Sequence, residues 1–173
     1  MLVTYELKWL DQFVHWNFDY WHMPSRGAEE IANWLNDDIQ HTSHANDMID
    51  RLRGIQQGKE KKGYIGTGNA HSSYVFDDNL FLECQFNDDL KVILPIEEAI
   101  KALEAYARFK SGNWQDPNYQ PEPFTVSYEY EGAEAEARYA ETGLSWGVTA
   151  EEIAENTRKI NVTDKKRKKQ KRR

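Results

Sequence analysis

The sequence predicts an α+β fold in which an antiparallel β-meander of three or more strands packs against several α-helices. Three observations carry this. Two amphipathic helical stripes precede a run of β signals, short Asp/Asn turns divide that run, and a long, continuous helical stripe follows it. The 13% aromatic content, with six Trp and nine Tyr, indicates a packed body although only 39% of residues are hydrophobic.

Residues 2–22 are dense in aromatics. VTYELKW alternates as a strand does, whereas WLDQFVHW reads better as a short helix with Trp9, Leu10, Phe13 and Val14 on one side, so the segment stays open between strand and helix. Pro24 and Gly27 break the segment. Ser25 or Gly27 starts a helix in which Ala28, Ile31, Ala32, Leu35 and Ile39 recur at three- and four-residue spacing. Glu29 and Glu30 fall in its first turn, where they suit the helix dipole. Thr42 or Ser43 starts a second helix with Met48, Ile49, Leu52 and Ile55 as its stripe and Gly58 as its stop.

YIGTGNAHSSYVF, NLFLECQF and LKVILP then read as three strands, separated by Asp77-Asp78-Asn79 and Asn87-Asp88-Asp89. Turns this short imply antiparallel hairpins. In the second strand Leu80, Leu82 and Cys84 share one face, and Phe81, Glu83 and Gln85 the other. Pro95 fits the first turn of the next helix, whose stripe is Ile96, Ala99, Ile100, Leu103, Tyr106 and Ala107. After a proline-containing linker, PFTVSYEYE alternates as a strand. GAEAEARYAE fits helix by composition and strand by alternation. Thr149-Ala150-Glu151-Glu152 is a capping-box pattern that starts a last helix running to about Ile160.

Charge divides the chain. It holds 22 basic and 29 acidic side chains, net -7. Residues 164–173, DKKRKKQKRR, carry eight basic residues and one acidic. Setting these aside leaves 14 basic and 28 acidic residues over 1–163, a body near -14. The expected organisation is one acidic domain, 1–163, and a disordered basic tail, 164–173, because a block of like charge without apolar residues cannot fold alone. No run of eighteen apolar residues exists, and the N-terminus lacks a signal-peptide pattern. A single cysteine fits a reducing cytoplasm, with Cys84 as a buried thiol rather than a nucleophile.

The motifs for chemistry are weak. His41 and His44, with Asp37 one turn earlier, have a permissible metal-ligand spacing but no supporting Cys cluster and no HExxH, so they read as solvated helix-end residues. His15 and His22 read as packing or hydrogen-bonding members of the aromatic segment. Gly63, Gly66 and Gly68 precede another β run rather than a helix, so they start or bulge a strand and do not cradle phosphate. His71, Ser72 and Ser73 lack a nucleophile elbow, and neighbours on a strand point to opposite faces. The reading is therefore a non-enzyme without metal or cofactor. The acid pairs Asp37-Asp38, Asp77-Asp78 and Asp88-Asp89 instead build a field that attracts cationic partners. FTVSYEYE adds a candidate interface, with Tyr128 and Tyr130 on one face and Glu129 and Glu131 on the other. The candidate partner-binding residues are thus Asp37, Asp38, Asp77, Asp78, Asp88, Glu129, Glu131, Tyr128 and Tyr130.

EEIANWLNDDI, GTGNAHSSYVFDDNLFLECQF and IEEAIKALEAYARF occur in an order that resembles the bacterial YacL-like family and the related immunity proteins of contact-dependent growth inhibition systems with tRNA-nuclease toxins. The resemblance covers about residues 27–111. The aromatic N-terminus, the 113–163 extension and the basic tail depart from it. It implies a cytoplasmic, non-catalytic α+β immunity protein that binds and occludes a cognate toxin nuclease domain. Nucleases that bind tRNA need basic surfaces, and an acidic inhibitor can imitate the phosphate backbone and be steered to its target. The alternative is an RNA- or ribosome-associated protein that works through Lys165–Arg173, with affinity falling steeply as salt rises.

Overall fold

The computed structural model describes residues 1–12, 15–18, 23, 25–113, 115–116, 118–145 and 148–159. The basic tail, His22 and Pro24 lie outside them. The fold is α+β, and its centre is a five-stranded antiparallel sheet. Strands β4 (Gly63–Thr67), β5 (His71–Phe76), β6 (Asn79–Cys84) and β7 (Lys91–Pro95) form a meander, and β9 (Tyr130–Glu131) adds to the outer side of β7. Near the N-terminus β1 (Val3–Leu7) pairs antiparallel with β8 (Phe124–Tyr128), and β2 (Trp9–Gln12) pairs with β3 (His15–Phe18).

Both faces of the central sheet are covered. On one lie α1 (Arg26–Trp34), α2 (Thr42–Gln56) and α3 (Ile96–Lys110). Their stripes bury Ile31, Leu52, Leu103 and Tyr106 against Val75, Leu80, Leu82, Val92 and Leu94. On the other lies α4 (Gly132–Glu141), whose Ala135 and Tyr139 pack on Tyr74, Phe81 and Ile93. Strand alternation sends Leu80 and Leu82 one way and Phe81 the other, as the sequence predicts. β7 is buried on both faces, which explains its unbroken apolar run.

The helix signals are realised locally. Ser25 caps α1 and accepts from the Ala28 N–H at 3.0 Å. Thr149 and Glu152 form the capping box in both directions, at 2.8 and 3.2 Å, and start helix α5 over residues 150–159. GAEAEARYAE resolves to helix as α4.

Four expectations need correction. The described residues of WLDQFVHW are strand rather than helix: β2 and β3 satisfy each other's backbone groups, with Trp9 opposite Phe18, while Phe13 and Val14 of the expected stripe lie outside the described residues. YIGTGNAHSSYVF is two strands. The chain turns back over 68–70, where Gly68 N–H donates to the His71 carbonyl, and the glycines act as expected, Gly63 opening β4 and a bulge lying between Tyr64 and Gly66. Pro95 ends β7 in an extended conformation (ψ 143°) instead of entering the helix. PFTVSYEYE breaks at Glu129, whose N–H is drawn to the Ile93 carbonyl at 2.8 Å, so Tyr128 and Tyr130 belong to different sheets.

Candidate functional site

Past Trp34 the first helix widens into a π-helical turn, Leu35–Ile39. Such turns are rare and are enriched at functional sites. This one carries Asp38 over the start of β5. The Asp38 carboxylate accepts the backbone N–H of Ala70 and of His71, both at 3.0 Å, and lies 3.1 Å from His71 Nδ1. Three donors around one carboxylate orient the imidazole and leave Nε2 pointing inward.

Nε2 faces Glu30. This side chain lies on the buried stripe of α1, three residues after Gly27 and four before Trp34. Glu30 is 0% exposed and His71 is 1% exposed. Glu30 Oε2 stands 3.5 Å from Nε2, within ion-pair range but beyond a good hydrogen bond. Neither Glu30 oxygen, nor His71 Nε2, has a hydrogen-bond partner among the described residues. Opposite His71 on the neighbouring strand is Cys84, a free, half-buried thiol. The Cys84 sulfur, a Glu30 oxygen and a His71 nitrogen all lie within 4.8 Å of one another.

The electrostatics follow from this enclosure. Burial pushes the Glu30 carboxyl up and outweighs the opposing effect of His71. Burial also opposes charge on His71, but its hydrogen bond to Asp38 and the nearby charges of Asp38 and Glu30 overcome it, and its pKa is pushed up to about 10. Burial works against ionisation of Asp38 as well. Hydrogen bonds from His71 and Ala70 outweigh it and hold that carboxyl below its ordinary range. The centre is a buried imidazole flanked by two carboxyl groups, and no hydroxyl among the described residues is in hydrogen-bond contact with His71.

Sequence reasoning missed this centre. Asp38 counted as a surface acid, Glu30 as a dipole partner and His71 as a strand residue. Glu30 betrays itself only by its place in the 27-30-34 stripe. Glu29, beside it, is half-buried and pairs with Arg26 at 2.8 Å.

The sequence-predicted partner residues are scattered. Asp77 and Asp78 are exposed at the β5–β6 turn, with Asp77 in a left-handed conformation (φ 48°). Asp88 is exposed at the β6–β7 turn, the opposite end of β6. Asp37 is half-buried, and burial raises its pKa. Tyr128 is buried, its hydroxyl 2.8 Å from both Ser25 Oγ and Glu131 Oε2. Glu131 also accepts the Gly27 N–H at 2.6 Å. Glu129 and Tyr130 are half-buried, with the Arg138 guanidinium over the Tyr130 ring at 5.1 Å. Asp38, Tyr128 and Glu131 therefore hold the fold together rather than facing outward.

The β6–β7 hairpin tip, QFNDD, is different. Phe86 is 79% exposed and is flanked by the exposed Asn87, Asp88 and Asp89. Neither Asp88 nor Asp89 forms an ion pair among the described residues. Asn87 shapes the turn, its side-chain oxygen accepting the Asp89 N–H at 3.1 Å. No helix among the described residues is long and apolar enough to cross a membrane. No family model matches the chain, and comparison with characterised proteins and with solved structures returns no match.

Proposed function

We propose that this protein is a non-catalytic inhibitor, an immunity protein that binds a basic nuclease toxin domain and occludes its nucleic-acid surface. The observation that carries the reading is the hairpin tip, where an exposed Phe86 stands beside two carboxylates that have no ion-pair partner among the described residues. An aromatic ring this exposed lowers solubility and fills no core of its own. Surrounded by unpaired acids, it fits an anchor that enters a cleft on a cationic protein. The net charge near -14 over residues 1–163 would speed that encounter and would repel nucleic acid. Asp77 and Asp78, at the far end of β6, extend the field but not the contact.

The test is co-purification from the source cell with tagged full-length protein, followed by a nuclease assay on the retained fraction. The reading predicts a basic protein that degrades tRNA once separated and is silenced at one equivalent of inhibitor. Retention of RNA or ribosomal material alone, lost on deleting 164–173, would overturn it and move the function to the basic tail.

A further inference from the structure

We propose that Glu30, His71 and Cys84 form a binding site for a divalent transition-metal ion, with Zn2+ as the best chemical match. The inference is independent of the partner reading. It starts from Glu30, a fully buried carboxylate with no hydrogen bond to either oxygen among the described residues. Such a group is unfavourable in a low-dielectric interior unless cations or donors satisfy both of its oxygens. A proton on His71 Nε2 can serve only one of the two oxygens, and it would do so across a 3.5 Å gap.

That gap has the size a metal requires. Two ligands about 2.0–2.1 Å from a tetrahedral zinc ion stand about 3.4 Å apart. The observed nitrogen–oxygen separation of 3.5 Å therefore needs almost no adjustment. Cys84 is the looser ligand. A sulfur and an oxygen on the same ion would stand about 3.5 Å apart, and the three ligand atoms lie within 4.8 Å of one another, so the thiol has at most about 1.3 Å to close. Cys84 is half-buried at the end of β6 and faces His71 across the strand pair, which gives it that freedom and gives the ion a way in.

The surroundings match a metal site on a second count. The orienting bond from His71 Nδ1 to Asp38 is the carboxylate–histidine arrangement that fixes a ligating imidazole, with its N–H on one side and its lone pair on the other. One carboxylate, one imidazole and one thiolate suit zinc better than magnesium or calcium, which favour all-oxygen shells. On binding, the Cys84 thiol and the imidazole Nε2 would release their protons to solvent. The ion's two positive charges would then face the Glu30 carboxylate and the thiolate. Three protein ligands leave a fourth position, which water would fill.

Full-length, untagged protein stripped with a chelator should be titrated with Zn2+ in competition with a chelating indicator, and separately with Co2+ by absorbance. The expected result is one ion per chain and a thiolate-to-cobalt charge-transfer band. Cys84→Ser should abolish the band and weaken zinc at least tenfold. Glu30→Gln should weaken zinc with the thiol intact, and Asp38→Asn should cost about 10–100-fold through the imidazole alone. Circular dichroism on each variant separates lost binding from lost folding. No uptake by folded wild type would overturn the proposal. So would uptake that lacks the charge-transfer band, or affinity unchanged by Cys84→Ser.

Discussion

The two sides of one sheet end hold charge in opposite ways. At the start of β5, Glu30, His71 and Asp38 are enclosed and depend on one another. A few residues away, where β6 turns into β7, Asp88 and Asp89 stand in solvent beside Phe86, and their carboxylates form no ion pair among the described residues. Buried charges are costly apart and tolerable together, so the enclosed group acts on stability. Exposed carboxylates contribute little to stability and much to encounter with a cationic partner. The comparison teaches that acid pairs in a sequence are not one class. Asp37-Asp38 and Asp88-Asp89 look alike in the chain and do different physical work.

Breaking the enclosed side should have the largest effect. His71→Ala leaves two buried carboxylates facing an empty space, and stability should fall by about 3–5 kcal/mol. Urea denaturation measures it, and a loss under about 1 kcal/mol would mean that the carboxylates are already neutral or solvated. Next comes Gly68→Ala. A Cβ there would lie 2.3 Å from Asp38 Cγ, so the carboxylate must move off the Ala70 and His71 amides. A loss of about 1–3 kcal/mol is expected, read as a lower denaturation midpoint with an unchanged slope.

On the open side, Phe86→Ala should leave stability within about 0.5 kcal/mol, because the ring touches little. It should still cost about 2 kcal/mol or more of binding to the proposed toxin partner. Asp88→Lys with Asp89→Lys should change stability no more than that. Its effect belongs to association, slowed on the order of tenfold at low salt and much less at high salt. Stopped-flow association at two ionic strengths separates these effects. Equal slowing at both would show that the residues act by contact and not by field.

Much of the fold was legible because its signals are local. The stripes of α1, α2 and α3, the Ser25 and Thr149 caps and the Asp77-Asp78 turn each depend on neighbours within a few residues. The errors fell where long-range pairing decides. WLDQFVHW has a helical spacing of apolar residues, yet Trp9–Gln12 and His15–Phe18 pair as strands, and Glu129 was pulled out of a regular strand by the Ile93 carbonyl. The candidate site was almost illegible for the same reason. Glu30, Asp38, His71 and Cys84 are far apart in the chain, and only the π turn after α1 and the β5–β6 register bring them together. The hairpin at 87–89 was visible as a turn, but the exposure of Phe86 depends on the sheet's two cores ending before it.

The central claim is this division of labour, with stability held by the enclosed centre and recognition by the open tip. The most direct test compares wild type with the Phe86→Ala, Asp88→Lys, Asp89→Lys triple variant for denaturation midpoint and for one-equivalent inhibition of the co-purified nuclease. The account predicts matching midpoints and lost inhibition by the variant. Full inhibition by a variant as stable as wild type would contradict it.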